Sequence, residues 1–165
     1  MAVRLMDETP LLSDSPIDTP MEAALLLGKY LNGVDREVVC VVNLQSDLKP
    51  INFTIASIGA LNYAICHPRE ILKSSILSNA ANVLLVHSHP SGNLKPSRQD
   101  CNITARLVNL CEMIDIPLVD HIIVGRNTTH FFSFKENSIM PKPTNIYPEN
   151  PGQIEFGSVA ERRVR

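Results

Sequence analysis

The chain has 165 residues, 44% of them apolar, which suits one compact domain with an ordinary core rather than two. A formal net charge of -2 and a pI near 6.2 argue against a dedicated nucleic-acid binder, whose contact face is normally basic. The four cysteines, Cys40, Cys66, Cys101 and Cys111, have no C-x-x-C spacing, which disfavours a disulfide scaffold or a Cys-rich zinc site. They read as packed free thiols in a reducing compartment.

The opening stretch MAVRLMDETPLLSDSPIDTP mixes acids with three prolines and lacks the apolar centre of a secretion signal. No apolar run approaches the ~18 residues of a membrane span, so a soluble, cytoplasmic protein is expected. Residues 1–18 read as a flexible arm, because their prolines and acids leave little surface to bury.

TPMEAALLLGKYLNG predicts the first helix, with Thr19 as N-cap, Pro20 at the first helical position, Glu22 closing a capping box and Asn32-Gly33 as the stop. REVVCVVNL (36–44) is β-branched and apolar at most positions, as in a strand covered on both faces. QSDLKP forms a turn, and INFTIAS (51–57) reads as the hairpin partner. HPREILKSSILSNA places Pro68 near a helix start, with Ile71, Leu72 and Ile76 on one face.

NVLLV (82–86) reads as a short buried strand. It is followed by a longer helix, SRQDCNITARLVNLCEMIDI, with Leu107, Leu110, Cys111 and Ile114 on one face. PLVDHIIVG and THFFSFKE predict two more strands, joined by a turn at Arg126-Asn127. Beyond Asn137, Pro141, Pro143, Pro148 and Pro151 point to an extended or disordered tail. The expectation is an α/β domain over 19–136, with its core from about residue 30 and the tail at 137–165.

The chemistry concentrates in HSHPSGNLKPSRQD (87–100). Strand alternation turns His87 and His89 the same way and Ser88 the other, and Pro90 stops the strand with both imidazoles at its C-terminal end. Ser97 caps the next helix and Asp100 falls at its third position, where a carboxylate can face back toward the strand end. Two imidazoles and a carboxylate suit Zn²⁺ with one position left open for water. Such a site also needs a base outside the coordination shell and a donor for the developing oxyanion, for which Ser97 is placed. A plain capping box accounts equally for Ser97 and Asp100, though not for the paired histidines.

The segment has the form H-x-H-x7-S-x2-D, and with DREVV, HPRE, VDHIIVG and FFSFKE in order it resembles the C-terminal domain of RadC-like proteins of the JAMM (JAB/MPN+) metalloprotease group. The resemblance implies a mixed β-sheet flanked by helices, an architecture related to cytidine deaminases. It also implies a zinc-dependent hydrolase of peptide or isopeptide bonds. His87, His89 and Asp100 match the zinc ligands, Ser97 the oxyanion donor and Glu37 the general base, a role for which Glu70 is the competitor by sequence alone. His67 and His121 match family positions but stay outside the metal set, His121 as a hydrogen-bonded structural histidine within an apolar strand. Cys101 reads as packed on another helix face. Deaminase chemistry, which needs H-x-E and P-C-x-x-C, is disfavoured.

Longer RadC-like proteins carry an N-terminal helix-hairpin-helix region. Here a short acidic arm and one helix precede the domain, so a nucleic-acid partner is suggested by the family name alone. A non-catalytic or DNA-repair-associated module that retains the metal site is the alternative to a protein or peptide hydrolase.

Overall fold

A computed structural model describes residues 14–31, 34–59, 67–125 and 130–144. Helix α1 (Pro20–Leu31) leads into strands β1 (Val38–Leu44) and β2 (Pro50–Ile58). Helix α2 (Pro68–Leu77), strand β3 (Asn82–Ser88), helix α3 (Arg98–Met113) and strands β4 (Leu118–Val124) and β5 (Phe131–Ser133) complete the order. The strands form one five-stranded sheet in the order β2-β1-β3-β4-β5. Only β3 and β4 run parallel; the β1–β2, β1–β3 and β4–β5 pairs are antiparallel. This is the mixed, helix-flanked sheet expected from the sequence.

Alternation along β1 divides the core. Val38, Cys40, Val42 and Leu44 face α1, joining Ala23, Ala24 and Leu27 with Leu84, Val86 and Ile122 from the neighbouring strands. Val39 and Val41 face the other way, onto Ile71 of α2 and Leu107 and Cys111 of α3, with Val83 and Leu85 beside them. Every residue of β1 is buried, as its continuous β-branched run requires.

Local chemistry sets the helix starts. Thr19 N donates to Glu22 Oε2 (2.8 Å) while Glu22 N donates to Thr19 Oγ1 (3.3 Å), the reciprocal capping box expected for α1. Helix α2 begins at Pro68 behind His67, with no side-chain cap. The expected stop at Asn32-Gly33 and the turn at Arg126-Asn127 lie outside the described residues.

Ile17 is buried with the α1 side of the core, and its N–H donates to Leu48 O at 3.0 Å. Of the arm expected over 1–18, residues 1–13 lie outside the described residues. Three expectations about helix faces and packing are corrected. On α2, Ile76 is 58% exposed, and Ser74 and Ser75 are buried beside Ile71. Both serines satisfy their hydroxyls on Ile71 O, which lets polar side chains occupy the buried face. On α3 the buried face runs through Thr104, Leu107, Val108 and Cys111, and Ile114 is exposed beyond the helix end. Cys101, expected to be packed, is exposed on the first turn of α3, while Cys40 and Cys111 are buried; all three are free thiols. Cys66 lies outside the described residues.

The strand expected over THFFSFKE is short. After Ser133 the chain turns, with Asn137 N donating to Ser133 O at 3.2 Å and Ile139 N to Phe134 O at 3.0 Å. The described start of the expected tail then returns to α3, where Thr144 N donates to Asn109 Oδ1 at 2.7 Å. Residues 145–165 lie outside the described residues.

Candidate metal centre

The histidines stand where β3 ends on the α2/α3 side of the sheet. His87 lies two residues beyond Leu85 and faces as Leu85 does, toward α3. Ser88 faces α1 and its Oγ accepts a hydrogen bond from Val38 N at 3.0 Å. That bond, with one from Gly59 N to Glu37 O at 2.9 Å, pins the backbone on both sides of Glu37 just before β1. Glu37 shares the facing of Val39, so its side chain reaches the same end of the sheet as His87.

His89 follows the strand, its N–H donating to Val124 O at 2.8 Å. The turn beyond it has Pro90 at its second position and closes by Gly92 N donating to His89 O at 2.9 Å. Gly92 has φ +77, a conformation that favours glycine. Gly125 permits the close approach of this loop to the end of β4, for an added Cβ there would stand 3.3 Å from Leu94 Cδ2.

The loop also orients His89. Its Nδ1 lies 2.6 Å from Asn93 O. A carbonyl only accepts, so Nδ1 carries the proton and Nε2 offers its lone pair to the site. Asp100 closes the other side. It is the third residue of α3 behind Ser97, whose Oγ accepts from Asp100 N (3.1 Å) while Ser97 N donates to Asp100 Oδ2 (2.7 Å). The capping box and the position expected for the third ligand therefore coincide. Asp100 Oδ1 lies 3.1 Å from His87 Nδ1, and Oδ2 lies 3.6 Å from His89 Nε2.

Ligand atoms of Glu37, His87 and His89 all fall within 4.8 Å of one another, the one such group among the described residues. Glu37 Oε2 is 3.6 Å from His87 Nε2. That nitrogen is buried and has no hydrogen-bond partner, which suits a donor directed at a cation. Two imidazoles flanked by two carboxylates are a donor set that zinc accepts. Four of the five groups expected from the sequence thus meet at one place, with Asp100 joined to the other three through both imidazoles. Glu70, the competing base, is instead engaged by Arg69 (3.3 Å) and Lys73 (3.5 Å) on α2.

Burial works against charge on His87, but Asp100 and Glu37 outweigh it and push the imidazole up to about 9. Burial likewise opposes the Asp100 carboxylate, and His87, His89 and Ser97 together hold it well below its usual range. Without a cation, a proton on His87 balances the surrounding carboxylates.

Ser97 is exposed, and capping uses only a lone pair of its hydroxyl, leaving the proton free to donate outward. Three further participants escaped the sequence reading. Asn93 acts through a backbone carbonyl, which no side-chain pattern reveals. Ser88 acts through strand pairing with β1. Thr104 was legible in principle, since it lies four residues after Asp100 on a helix, where a hydroxyl reaches the i−4 carbonyl. Its Oγ1 donates to Asp100 O at 2.5 Å and lies 2.7 Å from His121 Nδ1.

A family model described as RadC-like JAB domain matches residues 17–139. The chain belongs to the RadC-like JAB domain family. It is 40% identical over 128 residues to a UPF0758 protein of Clostridium beijerinckii, covering 78% of this chain and 55% of that protein. It is also 40% identical over 124 residues to a UPF0758 protein of Clostridium acetobutylicum, covering 75% of this chain and 53% of the relative. The chain spans about half the length of these curated relatives. The RadC-like match begins at Ile17, the first buried residue among those described. No described helix is long and apolar enough to cross a membrane.

Proposed function

We propose that this RadC-like JAB domain is a zinc-dependent hydrolase of peptide or isopeptide bonds. The observation that carries the reading is the convergence of Glu37, His87 and His89 within 4.8 Å, with Asp100 against both imidazoles. In this reading His87, His89 and Asp100 hold the metal. Zinc, when bound, would supply a Lewis acid that polarises the scissile carbonyl and lowers the pKa of water to roughly 7.

The chain's own groups carry the remaining steps. The Glu37 carboxylate accepts the proton of the attacking water and returns it to the leaving amine. The Ser97 hydroxyl donates to the oxyanion that develops on the carbonyl, as the α3 cap leaves its proton available. The Asn93 carbonyl keeps the His89 Nε2 lone pair directed inward throughout. A cytoplasmic location and a protein or peptide substrate go with this proposal.

The test compares wild type with Glu37→Gln on peptide and isopeptide-linked substrates, with zinc content measured in both. Loss of turnover with zinc retained supports the hydrolase. Equal turnover in the variant removes Glu37 as base. A wild-type chain that holds zinc but whose Glu37→Gln variant is unaltered in a cellular assay supports a non-catalytic module instead. Salt-dependent DNA binding would favour the repair-associated reading that the RadC-like description suggests.

A further inference from the structure

His121 lies beside the His87 ring and is joined to Asp100 through Thr104, without belonging to the centre. It lies on β4 opposite Leu85 and faces α3, where its ring is stacked on His87 with centroids 6.1 Å apart and planes 19° apart. Its other face is covered by Phe134, at 4.7 Å and 8°. The ring edge meets α3, with Nδ1 at 2.7 Å from Thr104 Oγ1. Thr104 Oγ1 donates in turn to Asp100 O, one turn back along the helix, at 2.5 Å. Thr104 has a single proton, which this bond consumes. His121 Nδ1 must therefore be the protonated nitrogen that donates to Thr104.

Both residues are buried, Thr104 at 0% and His121 at 1% exposure. Leu107, three residues on along α3, and Ile123, two residues on along β4, are buried apolar residues. An aliphatic pair would fill this space without leaving His121 Nε2 buried and unpartnered. The polar pair is a costly way to fill a core, and it links α3, which carries Asp100, to β4, the strand beside the one that carries His87.

We propose that Thr104 and His121 are a positioning pair that sets the spacing between the His87 imidazole and the Asp100 carboxylate, fixing the centre for zinc. The stack fixes His87 from the strand side. The Thr104 bond fixes the first turn of α3 from the helix side. The pair touches neither substrate nor reacting atoms and acts through the ligands it places. This inference rests on the metal reading above.

The test measures zinc affinity by chelator competition and the visible spectrum of bound Co²⁺, neither of which needs a substrate. Thr104→Val weakens zinc about tenfold to a hundredfold, in the range seen when groups supporting metal ligands are removed, and alters the Co²⁺ bands. Thr104→Ser, which keeps the hydroxyl, restores both. The double variant Thr104→Val/His121→Leu removes both polar partners, regains thermal stability and still binds zinc weakly, which a purely structural pair would not do. Should the double variant fail to fold, the contrast between Thr104→Val and Thr104→Ser decides. Unchanged affinity and spectrum in the folded variants overturn this inference and leave the metal reading intact. A wild-type chain that binds neither ion overturns both.

Discussion

Asp100 Oδ1 lies 3.1 Å from His87 Nδ1, and this contact joins the first turn of α3 to the end of β3. It also loads His87 with a proton, because Asp100 and Glu37 together overcome burial and push the imidazole up to about 9. An imidazole binds a metal only when neutral, so binding has to expel that proton.

Zinc affinity therefore rises with pH across 6 to 9, by about tenfold per unit while one proton is displaced. Calorimetric titration at pH 7 in buffers of different ionisation enthalpy reads that proton directly. Affinity flat over this range would show that His87 enters neutral.

Stability without metal has two limbs of opposite sign. His87 is raised above its unfolded value of roughly 6.5, so its contribution is complete below that pH and is lost as pH climbs through about 9. Burial drives His121 down to about 3, so its neutral form costs stability progressively as pH falls from roughly 6.5 toward about 3. Asp100, held below its usual range, adds to the acid limb below the ordinary carboxylate pKa. Thermal melts of the metal-free chain should peak near pH 6.5 and decline on both sides. Zinc replaces the His87 proton and flattens the alkaline limb.

Ser97 carries two separable roles. Ser97→Ala removes the acceptor for Asp100 N and destabilises the chain by about 1 kcal/mol. If the hydroxyl also serves the oxyanion, turnover falls by roughly 10²–10³ while zinc is retained. Melting curves and zinc analysis beside the rate separate the two. A loss of rate no larger than the loss of folded protein leaves only the cap.

Leu27 is fully buried on the α1 side of the sheet, away from the centre. Leu27→Ala destabilises by about 2–5 kcal/mol, the range for emptying a packed leucine site. Zinc affinity of the folded fraction stays at the wild-type value, because the ligands face α3. Denaturant titration and chelator competition on the same sample check both halves.

Much of this was legible along the chain because the relevant signals are local. Thr19 and Glu22, or Ser97 and Asp100, announce helix starts through bonds spanning three residues. The facing of His87 and His89 follows from alternation within one strand. What was missed depends on packing between elements. Ile76 lies outward because Ser74 and Ser75 bond back to Ile71 O and take the buried face. Ile17 is buried because Leu48, in a distant turn, accepts its N–H. The expectation for Glu37 rests on family resemblance, since only the β1–β3 pairing brings it to His87. Thr104 and His121 are far apart in sequence, and nothing local marks them as partners.

In the proposed reading Glu37, His87, His89 and Asp100 frame a zinc centre. Zinc content per chain, measured after equilibration with zinc and removal of excess, tests it most directly. About one zinc is expected in the wild type and none in the His87→Ala/His89→Ala double variant. A folded wild-type chain that retains no zinc would contradict it.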